Sequence, residues 1–443
     1  MADASIRSST SAAGSFLRWW GEARTSFFWM VLIAFLFRLA LIMAGHTYRF
    51  RTNDNNFSFG WEMGRIGQSL AKGEGFSNPF NETTGPTAWE SPLYPFVIAG
   101  VFKLLGIYGR GSAIVLLAIN SLFSALTCIP IFLIAKRCFN LTVALWTAWL
   151  WALVPFVTYW CTRWVWETSL AALLLTLIFW LALTLEDRIG SWPWFLFGGL
   201  WGIAALTNTS LLGFLPASGL WAWYRRAKSG KRSFAGVLLA AAIFFACLTP
   251  WIARNYHVFG KFIFIRSNFG AELRIGNGPY ADGTWQEYLH PTQDVFEMQR
   301  YKTLGEVGYV ALRKQEAIRF IRQNPGRFLW LDVKRFVYYW GGVPRASQIP
   351  ALAPCKNSVF LASTVLALWG LGRALRRRRP GAWLFFWLIV CYPLVFYLVF
   401  PHPRYRHPIE PELAILIVYV ISEAERKEPT QPLHPPPSAL PMD

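Results

Sequence analysis

Ten apolar runs divide the chain, at about 26–45, 112–134, 141–159, 165–184, 193–207, 210–224, 233–252, 357–373, 382–400 and 408–421. Most approach the roughly 20 residues that a helix needs to cross a bilayer. Inside lipid only helices and closed barrels satisfy their own backbone groups. The pattern predicts an all-α polytopic membrane protein with about ten transmembrane helices. A further run, 92–106, is shorter and contains Lys103. Charge placement decides whether it crosses. The clusters Lys136/Arg137, Arg188, Arg225/Arg226/Lys228/Lys231/Arg232 and Arg376–Arg379, with Arg426 and Lys427 near the end, all fall on the cytoplasmic side if 92–106 lies in the interface. It is therefore expected to be an interfacial helix, with both termini cytoplasmic.

The same pattern sets the expected organisation: a tail at 1–25, a transmembrane module at 26–252 holding an outer loop at 46–111, an extracytoplasmic segment at 253–356, transmembrane helices at 357–421, and a charged, Pro-rich tail at 422–443 expected to be disordered. The first run is long enough to stay as an anchor rather than be cleaved. In the first outer loop, Phe59, Met63, Ile66 and Leu70 recur at helical spacing, and Gly73 and Gly75 follow. This predicts a short helix on the membrane surface. In the long segment, LRKQEAIRFIRQNPGRFLWLDVKRFVYYW sets Ala317, Phe320 and Ile321 against Arg313, Lys314 and Arg322, with a break at Pro325. It reads as an amphipathic helix with those three cations on its polar face.

Composition then narrows the function. The 443 residues are 54% hydrophobic, 17% aromatic and 15% charged, and the net charge is +19. Most of the Lys and Arg lie in short loops between runs, which orients a membrane protein and argues against a nucleic-acid partner. Six Cys show no metal spacing and read as small buried hydrophobes. The His residues lack ligand spacing and no P-loop is present, so neither a His-based metal site nor an ATP-driven pump is expected. Three N-glycosylation patterns begin at Asn81, Asn140 and Asn208, two of them in or beside apolar runs. Arg38 sits inside the first run, where two readings stay open: a functional intramembrane charge, or a side chain snorkelling or pairing near the interface.

Candidate chemistry converges on three outer segments. Asp54, Glu62, Glu74, Glu82 and Glu90 crowd the stretch Arg51–Pro95, while Arg254, Asn255, His257, Lys261, Arg274 and Asn277 follow the seventh run. His402, Arg404, Tyr405, Arg406 and His407 lie between the last two. A carboxylate facing such cations suits proton removal from an alcohol, with the cations holding a phosphate leaving group. Taken singly, each cluster could instead be solvated or meet lipid headgroups. A transporter or flippase would need paired broken helices with polar residues at mid-bilayer, and only Arg38 and Asn208 lie well inside the runs. A structural subunit of an envelope assembly would need no converging acids and bases.

The chain resembles the GT-C glycosyltransferases of the protein-mannosyltransferase and aminoarabinose-transferase type. The resemblance rests on the Arg in the first run, GWEMGRIGQSLAKGEGF, the W-E-x-P-L-Y element at Trp89–Tyr94, Leu206–Asn208, PWIARNYHVFGKF, RIGNG, EAIRFIRQNPGRFLWL and PRYRHPIEPELAI. It implies a GT-C fold and transfer of a sugar from a polyprenyl-phosphate donor to a glycan, lipid or protein acceptor. It further implies a bacterial inner (plasma) membrane with the active site on the periplasmic side, and no cofactor or metal. In that family an acid of the first outer loop, often Asp-Glu, is the general base. Here that position falls at Phe59, and the nearest acids are Glu62, favoured because its helix fixes it, and Asp54. Glu90 matches the family's acid in the W-E-x-P element, and Glu167 matches a second acid found in relatives. Arg254, Arg404 and Arg406 match the positions expected to hold lipid phosphate. Arg38, Asn255, Asn277 and Tyr405 complete the expected substrate-binding set.

Overall fold

The computed structural model describes residues 24–50, 56–188, 190–230, 234–344 and 353–425. Among them the regular structure is helical, apart from one isolated bridge between Ser77 and Pro86. Every expected run carries helix: α1 (Phe27–Ala44), α4 (Arg110–Leu126) running on into α5 (Cys128–Cys138), α6 (Leu141–Leu153) followed by α7 (Pro155–Arg163), α8 (Thr168–Thr184), α9 (Trp192–Thr207), α10 (Leu215–Lys228), α11 (Phe234–Phe259), α15 (Ala353–Arg376), α16 (Ala382–Cys391) with α17 (Leu394–Leu398), and α18 (Glu410–Glu425). Among the described residues five stretches are long and apolar enough to cross a membrane: 27–44, 110–138, 141–163, 234–259 and 355–376.

The outer elements follow the pattern too. α2 (Glu62–Ala71) buries Met63 and Ile66 and stops before Gly73 at φ +83°. α3 (Leu93–Leu105) has 13 residues, about 20 Å at 1.5 Å per residue, too short for a bilayer core. It lies against α2. The long segment folds as α12 (Phe269–Gly276), α13 (Val295–Gln323) and α14 (Pro325–Gly341). The break falls before Pro325, as its missing N–H dictates. One expectation fails here. Arg313 is not on a solvated face but buried, paired with Glu297 and with Glu316 at 2.5 Å, its guanidinium over the Tyr309 ring. Glu316 lies one turn on, while Glu297 is 16 residues earlier and is brought back by the kink at Gly305; together they make that burial possible, and spacing alone did not show the second.

α8 is the hub. It is buried on nearly all sides and packs against α4, α5, α9 and the 3-10 segment Pro403–Ile409. Small residues let neighbours approach closely: a Cβ on Gly198 of α9 would stand 2.2 Å from the Ala240 carbonyl of α11.

Arg38 is explained by a backbone defect. Pro155 cannot donate to the Trp151 carbonyl, so the end of α6 has unclaimed acceptors. Arg38, wholly buried, supplies donors to the Trp151 and Ala152 carbonyls at 2.8 Å each and to Ser124 Oγ at 3.2 Å. It ties α1 to α4 and α6.

Candidate active site

A turn and a strained residue aim Glu62. Residues 57–59 form a 3-10 turn, and the Val165 N–H donates to the Ser58 carbonyl at 2.9 Å. Gly60 has φ +86°, and a Cβ there would lie 2.4 Å from the Val165 carbonyl, so only glycine fits. Trp61 then adopts φ 49°, ψ −107°, a conformation costly for a side-chain-bearing residue. α2 starts at Glu62, whose carboxylate lies in the favourable first turn. His290 Nε2 donates to Glu62 Oε1 at 3.0 Å, and the His290 ring stacks on Trp61 with centroids 4.6 Å apart. Burial pushes the Glu62 carboxyl up, but the hydrogen bond and electrostatic pull of His290, joined by a backbone N–H and Arg65, outweigh it together, and the net displacement is downward. Glu62 is held as a carboxylate.

Glu90 lies in the opposite condition. Its Oε1 accepts from Arg266 at 2.9 Å, and its buried Oε2 has no hydrogen-bond partner. Burial, against the pull of Arg266 and with Glu62, Glu167 and Glu272 adding to it, pushes this carboxyl up to about 8. The segment carrying Glu90 is fixed from three sides. Glu306 of α13 accepts from Thr87 Oγ1 and from the Ala88 N–H at 2.7 Å; Arg254 donates to the Thr87 and Phe76 carbonyls at 2.6 and 2.9 Å; Arg266 donates to the Trp89 carbonyl at 3.0 Å.

A third wall comes from α8 and the Pro403–Ile409 segment. Asn208 donates to Glu167 Oε1 at 2.8 Å, leaving the buried Oε2 without a partner. His402 takes the Arg404 N–H at the start of its turn, and burial, with Arg404 and Lys356 nearby, pushes the His402 ring down to about 3, so it is neutral. The Arg404 guanidinium lies 3.6 Å from the centroid of Trp166, and its buried Nη1 has no partner. Glu62, Glu90, Glu167, Glu272, Arg266, His290, Arg404 and Tyr405 line one cavity of about 440 Å³, with Trp61, Trp166 and Trp285 among its aromatic walls.

The structure thus brings together Glu62, Glu90, Glu167, Arg404 and Tyr405. Five other expected residues lie outside the cavity lining, each because other protein acceptors claim it. Arg38 and Arg254 hold carbonyls as described. Asn255 donates to the Ile263 and Ile265 carbonyls, and Asn277 to those of Leu273 and Leu398. Arg406 is buried against the Phe360 ring and bonded to Glu410, Thr364 and Ser363. Asp54 lies outside the described residues. Pattern reading missed Arg266, Glu272 and His290. Arg266 stands in the alternating FIFIR run after α11, a usable signal; Glu272 and His290 have no local signature.

Residues 89–253 match the family model for dolichyl-phosphate-mannose-protein mannosyltransferase, a stretch holding Glu90, Glu167 and Asn208. No curated protein matches the sequence. Among solved structures, the fold matches the oligosaccharyltransferase AglB from Archaeoglobus fulgidus. In the complex with an inhibitory peptide and a dolichol-phosphate the identity is 15%, with 90% of this chain and 50% of that chain covered at a TM-score of 0.51. The apo form gives 13%, 90% and 51%, also at 0.51. This chain has the GT-C glycosyltransferase fold. It spans about half the length of those archaeal structures. ArnT from Cupriavidus metallidurans in the apo state is similar at 14% identity over 82% of this chain and 55% of that chain, with a TM-score of 0.44.

Proposed function

We propose that the protein transfers a sugar from a polyprenyl-phosphate donor to an acceptor hydroxyl or amine on the outer face of a bacterial inner membrane. The observation that carries this reading is the pairing, in one aromatic-walled cavity of a GT-C fold, of a carboxylate kept ionised (Glu62) with a buried guanidinium nitrogen that no protein group claims (Arg404). The AglB structure with a dolichol-phosphate supports a lipid-phosphate ligand for this fold.

In this reading Glu62 takes the acceptor proton as the acceptor oxygen or nitrogen attacks the anomeric carbon. The bond from that carbon to the phosphate oxygen breaks, and the electron pair leaves with the polyprenyl phosphate. Arg404, in place of the trio expected from sequence, meets the charge that develops there. Glu90, protonated at neutral pH, has a hydrogen to donate to a sugar hydroxyl or phosphate oxygen, while Glu167, fixed by Asn208, accepts from a sugar hydroxyl. Trp61, Trp166 and Trp285 offer ring faces to the sugar.

The test is transfer by the purified full chain in lipid nanodiscs, using a panel of radiolabelled polyprenyl-phosphate sugars. Glu62→Gln is expected to lose activity by about 10²–10⁴-fold, the range for a general base. Undiminished turnover in that variant moves the base to Asp54, tested by Asp54→Asn. Turnover with no lipid-phosphate sugar overturns the donor class.

A further inference from the structure

We infer that His290 is the positioning residue for Glu62: a neutral imidazole, locked as the Nε2–H tautomer by the Thr292 backbone, that keeps the carboxylate ionised and turned toward the cavity. This rests on Glu62 being the base.

The tautomer follows from hydrogen-bond direction. The Thr292 backbone N–H donates to His290 Nδ1 at 3.3 Å. A nitrogen that accepts carries no proton, so in the neutral ring the proton is on Nε2. Nε2 is the atom that faces Glu62 Oε1 at 3.0 Å. An imidazolium would have to donate from both nitrogens and would set an N–H against the Thr292 N–H. The backbone therefore selects a ring that gives Glu62 a hydrogen bond without a full charge. The ring plane is fixed on both faces and edges: stacked on Trp61 at 18°, edge-on to Phe80 at 5.5 Å, and close to Trp285 at 5.9 Å. With its side chain 3% exposed, His290 has no solvent route to another rotamer.

The consequence for the base is a sign. Besides the hydrogen bond from His290, several charged or titratable groups act on Glu62 or share its field: Arg65 on its own helix, Glu90 on the segment before α3, Glu272 of α12, and Arg404. Burial alone favours the protonated acid, which cannot accept a proton from the acceptor. The neighbouring carboxyls of Glu90 and Glu272 work in the same direction. The hydrogen bond from His290 leads the groups that pull the other way, with a backbone N–H and Arg65 behind it. One oxygen of Glu62 is tied to the imidazole, which fixes the direction of the carboxylate in the cavity.

The arrangement differs from the Ser-His-Asp order, in which the imidazole moves the proton and the acid orients it. Here the acid takes the proton and the imidazole orients it. His290 neither gains nor loses a proton during the transfer.

The experiment compares wild type, Glu62→Gln, His290→Phe and His290→Gln in nanodiscs, as kcat/KM against pH. Phe keeps the stack on Trp61 and removes the donor; Gln restores an N–H near the same place. His290→Phe is expected to move the acid limb of the profile upward by about one pH unit or more, to lower kcat at pH 7 at least tenfold, and to leave KM for the lipid donor within about twofold. His290→Gln is expected to recover most of both. An acid limb unmoved in His290→Phe overturns the proposal while leaving Glu62 as base; full activity in Glu62→Gln overturns the base assignment instead. Should His290→Phe not fold, the ¹⁵N shifts of labelled histidine in the wild-type protein decide. The expected pattern is a protonated Nε2 with a bare Nδ1, as the hydrogen-bond directions require; a proton on Nδ1 overturns the proposal.

Discussion

Arg404 and Arg406 stand two residues apart on the same 3-10 segment and meet different chemistry. With three residues per turn, such neighbours point to different sides. On one side Arg404 lies over Trp166 with its Nη1 unclaimed at the cavity. On the other, Arg406 is met by Glu410 at 2.5 Å, by Thr364 Oγ1 at 2.7 Å and Ser363 Oγ at 2.8 Å of α15, and by the Phe360 ring. One guanidinium keeps a donor nitrogen unclaimed; the other is a bolt between α15 and the start of α18. The residue type is the same, and the difference lies in whether a neighbouring helix supplies acceptors. Arg254 and Arg38 fall with Arg406, because backbone carbonyls claim them.

The comparison can be broken in four ways. Arg406→Ala should strand Glu410, the buried Thr364 hydroxyl and the half-buried Ser363 hydroxyl, costing about 3–5 kcal/mol, seen as a large fall in the thermal midpoint in detergent. Arg404→Ala should leave that midpoint nearly unchanged and lower transfer about 10²–10³-fold, as loss of a charge-stabilising donor does. If the two outcomes exchange places, the assignment of bolt and phosphate grip is reversed.

A smaller effect is expected from Glu90. Its carboxyl ionises near 4.5 when exposed and near 8 in the fold. Between those values the folded protein keeps a proton that the unfolded chain releases, so this group's contribution to stability falls as pH rises toward 8. Above 8 the cavity gains a negative charge. KM for the anionic donor should then rise several-fold, and Glu90→Gln should remove that rise. A profile flat from pH 7 to 9 in the wild type would sink this assignment. Smallest of all, Arg254→Lys keeps the charge but loses the two-pronged hold on the Phe76 and Thr87 carbonyls, an expected loss of about 1 kcal/mol, read as a modest drop in thermal midpoint with little change in kcat.

Much of the fold was legible because apolar runs and punctuating glycines act locally. The helix at Glu62–Ala71 and the short α3 follow from spacing and length. The cavity acids Glu62, Glu90 and Glu167 were legible as acids in outer loops, and Arg404 as a cation beside the last run. What spacing does not reveal is where backbone acceptors go unclaimed. Pro155 announced such a site at the Trp151 carbonyl, and that sign, carried one step further, accounts for Arg38. His290 and Glu272 were illegible for another reason: their meaning lies in contacts with a loop some two hundred residues earlier, and nothing near them in sequence repeats or pairs.

The site's walls are also separated in time. Thr87 waits for Glu306, 219 residues later, and Glu90 for Arg266, 176 residues later. Arg404 comes after them all. At roughly 5–20 residues per second, the acids of the first outer loop are made tens of seconds before their partners. A chain cut short before residue 404 would therefore contain most of the bundle and the cavity acids, with Arg266 already tied to Glu90 and the unclaimed guanidinium of Arg404 still missing. The cell would meet an incomplete molecule of this kind as an inert one, and activity would switch on only as synthesis reaches the last helix.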